Sequence, residues 1–203
     1  MRGIAAHCPF CLLVIAIVSL AGCDPRGPRH RFNGWAATPQ AARLVDYRDF
    51  LRRQKVEDAL PMESLLRSGR RWRRCGVTEF AVPPESAWAN MVPTLAAVKQ
   101  LRADGLLHGE RTASAYRDPV FNRCEGGSSR SKHLANNALD FDLARATPSE
   151  VARLCAWWQR HGPALKLGLG FYDADKIHID TSGFRTWGYD YTRKTSLCTR
   201  VSG

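Results

Sequence analysis

The chain has 203 residues, 44% of them hydrophobic, with seven cysteines and a formal charge of +11. That length fits one domain with attachments and is ample for a sizeable core. The four cysteines beyond residue 23 (Cys75, Cys124, Cys155 and Cys198) lack the close paired spacing of a zinc ribbon or finger, which excludes that class and leaves them as structural candidates.

In chain order, Arg2 is followed by an apolar run whose densest part is FCLLVIAIVSL, ending in LAGC at residues 20–23. A short positive flank, an h-region too short to span a bilayer comfortably and small residues at a cleavage point define an export signal over residues 1–22. LAGC resembles the lipobox of bacterial lipoproteins, which implies that Cys23 is lipidated and becomes the mature N-terminus. The expected location is therefore outside the cytoplasm, anchored to a membrane and facing the periplasm or cell wall. There the remaining thiols can form two disulfides, with three connectivities open.

Residues 23–40, rich in Pro, Gly and Arg, read as anchor and tether. Residues 41–77 read as an N-terminal helical segment, with Leu44, Tyr47 and Leu51 at helical spacing and Pro61 as its stop, followed by the basic run RSGRRWRR at 67–74. In a cytoplasmic protein that run would suggest nucleic acid. In an exported one the accessible polyanions are cell-wall polymers and lipid headgroups, so no nucleic-acid partner is expected, and a solvated basic face is an equal reading.

The main domain is expected over 78–203. A helical pattern carries Trp88, Val92, Leu95, Val98 and Leu101 and stops at Gly105. Residues 107–117 lead through a strand to Asp118-Pro119, and RCEGGSSRS forms a Gly/Ser loop. After residue 138, Leu139, Phe141 and Leu143 alternate with Asp140 and Asp142, the period of a half-buried strand. Thr147, Pro148 and Glu150 form a capping box for a helix ended by Gly162-Pro163. Residues 167–188 read as strand, turn and strand.

His133 precedes Asp140 by seven residues; in one straight helix that would separate their backbones by about 10 Å, whereas a bend at Asn136-Asn137 lets the two side chains meet. KIHID at 176–180 repeats the strand pattern, with His178 and Asp180 on one face and Ile177 and Ile179 on the other. Neighbouring strands would bring Asp140 and His178 together with His133, and two imidazoles and a carboxylate around an open position are the ligands of a catalytic zinc site.

SKHLANNALD resembles the SxHxxxxAxD motif of the zinc D-Ala-D-Ala carboxypeptidase family, SAYRDPVFN with Gly126-Gly127 resembles the stretch that precedes it, and GLGFYDADKIHIDTSGFRTWG resembles the closing motif of the branch carrying HxD. The likeness spans about residues 78–188. It implies an α+β fold, a small antiparallel sheet carrying a zinc cleft and packed with helices. It further implies Zn²⁺ held by His133, Asp140 and His178, with Asp180 as the alternative third ligand, and Asp175 as general base with Asp180 as a supporting or alternative base. Arg117 would hold substrate and the developing oxyanion, with Tyr116 and Ser131 also touching substrate. The implied activity is hydrolysis of peptidoglycan stem peptides or cross-links, as a carboxypeptidase or endopeptidase; the alternative is a zinc-containing cell-wall binding module without turnover.

Overall fold

The computed structural model describes residues 27–200; the export signal and Cys23 lie outside the described residues. The elements in chain order are α1 (Pro28–Ala36), α2 (Leu44–Arg53), α3 (Met62–Leu65), α4 (Trp88–Ala103), β1 (Arg111–Ser114), α5 (Pro119–Cys124), β2 (Ala138–Asp142), α6 (Pro148–Leu165), β3 (Gly168–Asp173), β4 (Lys176–Asp180), β5 (Arg185–Trp187) and α7 (Leu197–Arg200). Among the described residues no helix is long and apolar enough to cross a membrane.

One sheet, in the order β1-β2-β4-β3-β5, is antiparallel except for the parallel β3–β5 pair, so the α+β expectation holds. Its alternation divides two chemistries. Leu139, Phe141, Leu169, Phe171, Ile177 and Ile179 join Met91, Leu95, Val98 and Leu101 of α4 and Leu154 and Trp158 of α6 in one hydrophobic cluster. The opposite face carries Asp140 and His178, register partners on β2 and β4, flanked by Gly170 on β3. The hairpin read as two strands is extended by β5, which pairs Arg185 with Gly168 and Trp187 with Gly170.

The expected tether does not extend to residue 40. Phe32 and Trp35, three residues apart on α1, are buried and pack on Phe80 with ring centroids 5.3 and 5.7 Å away, and the Arg31 Nε–Glu79 ion pair closes at 2.6 Å. Residue 78 is not a domain boundary either: Tyr47, Leu51, Leu65 and Leu66 belong to the same cluster as the sheet.

Two helix ends differ from expectation for one reason. α2 stops at Arg53 through a Schellman closure, Val56 N donating to Leu51 O at 3.1 Å with Lys55 at φ 59°, well before Pro61. α6 runs through Pro163 and closes the same way on Lys166 at φ 51°, Leu167 N donating to Gly162 O at 2.9 Å. α4 uses the expected glycine, Gly105 at φ 65°. The α6 capping box forms as read. Disulfides Cys75–Cys124 and Cys155–Cys198 settle the open connectivity.

Candidate metal centre

The His133 loop is placed by four neighbours. Arg117 N donates to His133 O at 3.2 Å; Asn90 Nδ2 of α4 donates to Ala135 O at 2.8 Å; Asn137 Oδ1 accepts from Thr94 Oγ1 at 3.0 Å and from Thr181 N at 3.2 Å. Asn136 makes the bend at φ 52°, and its Nδ2 donates to Ala87 O at 3.0 Å. Asparagine tolerates this left-handed backbone better than most residues, which suits it to the bend.

The bend brings His133 to the strand pair. His133, Asp140 and His178 are all buried, and one ligand atom from each lies within 4.8 Å of the others, the single such group of histidine, cysteine or acidic side chains among the described residues. His133 Nδ1 lies 2.6 Å from Ala115 O, a carbonyl that can only accept, so the ring proton is there and Nε2 carries a lone pair. That Nε2 has no hydrogen-bond partner, yet it faces Asp140 Oδ1 at 3.2 Å. Two buried acceptors at that distance are stable only with a positive charge between them.

His178 completes the set. Its Nε2 lies 3.0 Å from Asp180 Oδ2, and its Nδ1 lies 2.9 Å from Asp140 Oδ1 and 3.3 Å from the Tyr172 hydroxyl. With the Nε2 proton on Asp180, Nδ1 is the lone pair aimed at the shared centre, and the carboxylate fixes the ring as second partners of metal ligands do. Burial depresses the His133 pKa more than Asp140 raises it, keeping that ring neutral. Burial opposes charge on Asp140 and on His178 too, but the two histidines hold the Asp140 carboxyl well below its usual range, and hydrogen bonds to Asp140 and Asp180 raise His178. The lowered Asp140 and the raised His178 both mark a point that favours positive charge. The donor set, His133 Nε2, Asp140 Oδ1 and His178 Nδ1, fits a tetrahedral divalent ion with one position left open.

The other expected residues divide. Arg117 lines the cleft, donating from Nη2 to Asp140 Oδ2 and from Nε to Ser114 Oγ, both at 2.7 Å. Ser131 lines it as well. Tyr116 is half-buried and not part of the lining. Asp175 does not line the cleft: it sits in the β3–β4 turn, half-exposed and bonded to Lys176 at 3.1 Å. Asp180 is fully buried behind His178, bound by Arg185 Nη2 at 2.6 Å and Ser182 N at 2.8 Å, with its carboxyl depressed by His178 and Arg185 against the effect of burial. It orients the ring and does not line the cleft. Asp142, further along β2, is held by Arg70 and Arg111.

The cleft over the centre has a volume of about 320 Å³ and adds residues the sequence reading did not assign: Arg70, Glu125, Arg130, Lys132, Tyr172, Arg185, Trp187 and Tyr191. The glycines of GLG were the available signal. A Cβ on Gly170 would stand 2.3 Å from the Trp187 ring, and one on Gly168 would stand 2.6 Å from Arg185 Nη1, so both glycines are there to admit the β5 side chains.

A mostly antiparallel sheet that presents one histidine and an aspartate to an open cleft, with a second histidine arriving from a loop, defines a metallohydrolase-type centre. The family model of peptidase M15 matches residues 58–180, which include all three candidate ligands. The chain belongs to that family, a zinc peptidase family that includes the D-Ala-D-Ala carboxypeptidases, as the motifs implied. Neither the curated proteins nor the solved structures contain a match to the chain.

Proposed function

We propose that the protein is an exported zinc peptidase that hydrolyses peptidoglycan stem peptides or their cross-links, held at a membrane through a lipid on Cys23. The observation that carries this reading is the bare Nε2 of His133 facing Asp140 Oδ1 at 3.2 Å inside a water-accessible cleft. Zn²⁺ held by His133, Asp140 and His178 supplies Lewis acidity there. The chain's own groups do the rest. Arg117 fixes Asp140 and offers its remaining N–H groups to a scissile carbonyl as that oxygen gains charge. Tyr172 brings a protic hydroxyl against His178 and into the cleft, where it can donate to the same oxygen or to the leaving amine. Ser131 stands in the lining as a hydrogen-bonding group for the peptide.

Three features support the wider reading. Arg70, Arg117, Arg130, Lys132 and Arg185 around one cleft suit a substrate rich in carboxylates. Both disulfides suit an oxidising compartment. LAGC at 20–23 suits a lipid anchor, which keeps the enzyme near the wall.

The test is metal analysis of purified protein together with incubation on isolated muropeptides, with and without chelator. Zinc-dependent release of a stem-peptide fragment is expected; a metal-free protein that cleaves nothing would overturn the proposal. A second reading, a zinc-containing wall-binding module, is favoured by the absence of Asp175 and Asp180 from the cleft lining. Zinc-bound protein that sediments with the wall polymer and never cuts it would establish that reading instead.

A further inference from the structure

We propose that residues 70–75 and 123–132 form a basic lip that docks the carboxylate-bearing peptide strand continuing from the scissile bond. This deepens the peptidase reading and rests on it.

The two segments are built to lie together. Cys75 is bonded to Cys124, Arg71 N donates to Glu125 Oε1 at 2.7 Å, and Arg71 Nη1 reaches Glu125 O at 3.4 Å. Gly69 permits the approach, since a Cβ there would stand 2.6 Å from Glu125 Oε1 and 2.8 Å from the Phe121 ring. Behind the turn, Ser114 Oγ donates to Ser68 O at 2.7 Å and Ala115 N to Arg67 O at 2.7 Å, which ties the lip to β1 beside the His133 carbonyl partner.

The joined segments concentrate positive charge without neutralising it. Glu125 is engaged by Arg71, and Arg70 is engaged by Asp142. Arg73 stacks on Trp72 with its guanidinium carbon 4.4 Å from the ring centroid. Arg73, Arg74, Arg123, Arg130 and Lys132 have no carboxylate partner among the described residues. In the other basic stretch, at 52–55, Arg52 pairs with Asp49 at 2.7 Å and, among the described residues, no disulfide joins it to a second basic segment. Crosslinking so many like charges raises their mutual repulsion, which a docked polyanion relieves.

Continuity with the cleft selects the occupant. Arg70, Glu125, Arg130, Ser131 and Lys132 belong to the lip and to the wall of the metal cleft alike. A strand lying along them therefore enters the cleft, whereas a flat bilayer pressed on them would cover its mouth.

The experiment reads binding by fluorescence anisotropy on the full, zinc-loaded chain, using labelled tetra-D-glutamate and tetra-D-glutamine peptides. The lip variant is Arg73→Gln/Arg74→Gln/Arg123→Gln, none of which lines the cleft; the matched variant is Arg48→Gln/Arg53→Gln/Arg160→Gln. The lip variant is expected to bind the glutamate peptide about tenfold more weakly and with a flatter salt dependence, with the matched variant unchanged. Equal loss in both variants, or none in either, would overturn the proposal. So would a lip variant that keeps peptide affinity but no longer sediments with phosphatidylglycerol vesicles, since that assigns the surface to a membrane. Because anisotropy needs no turnover, lip-dependent binding by a protein that cleaves nothing would sink the peptidase reading and leave the lip in place.

Discussion

The two histidines of the centre reach the same point by different routes. His178 is set by a β-ladder: its partners in the register are Asp140 and Gly170, its ring is fixed by Asp180 two residues along the same strand face, and Tyr172 of the neighbouring β3 adds a hydroxyl 3.3 Å from its Nδ1. His133 is set by tertiary contacts, with its backbone held by Arg117, its ring by the Ala115 carbonyl, and its loop by α4 and Thr181. A strand ligand is specified locally, so one side chain can unseat it. A loop ligand is specified by distant backbone, so it fails when the loop's shape fails.

That contrast can be broken at several points. The largest effect is expected from Asp140→Asn, which removes the anion shared by both imidazoles and by Arg117. Stoichiometric zinc should be lost on metal analysis, and peptide hydrolysis should fall roughly a thousandfold, the equivalent of about 4 kcal/mol of lost charge stabilisation. Next, Asn136→Ala should cost about 2–3 kcal/mol in urea unfolding, because it combines a left-handed backbone penalty with an unpaired Ala87 carbonyl. Asn136→Gly, which keeps the backbone freedom, should cost only about 1 kcal/mol. If the two variants were equally unstable, the left-handed bend would not be what holds the loop.

Asp180→Asn acts on the strand ligand alone. Zinc affinity measured by chelator competition should weaken about 10- to 100-fold with the fold intact. An unchanged affinity would mean that β-register by itself orients His178. The smallest effect is expected from Asp175→Asn, within about twofold in turnover, because its charge is spent on Lys176 in an exposed turn. A large loss there would restore the base that the motif implied and would require the β3–β4 turn to close over the cleft.

The legible parts of this molecule were those with short-range causes. Alternation around Asp140 and His178 placed both on one sheet face because a strand's period is fixed by its backbone, and Thr147 with Glu150 marked the start of α6 because a capping box spans a single turn. Both helix ends that were misplaced used lysine in the left-handed position, at Lys55 and Lys166, where the readable signal is glycine. The tether was overextended because the Pro, Gly and Arg around Phe32 and Trp35 masked two aromatics whose burial depends on Phe80, some 45 residues away. The role carried over to Asp175 rests on a sequence offset, and the turn that pairs its carboxylate with Lys176 is a feature that offset does not encode.

By itself, then, the sequence determined which strand faces the candidate ligands occupy, since residue type and backbone period are local properties, and it left His178 and Asp180 open as the third. Only the tertiary structure decided which nitrogen of each imidazole would meet a cation, because the proton's place is dictated by Ala115 O and Asp180, groups that folding brings to the far side of each ring. The same holds for the cysteine pairing and for the cationic wall of the cleft. Those depend on which distant segments are packed together, and long-range packing is a property of the whole core rather than of any window of chain.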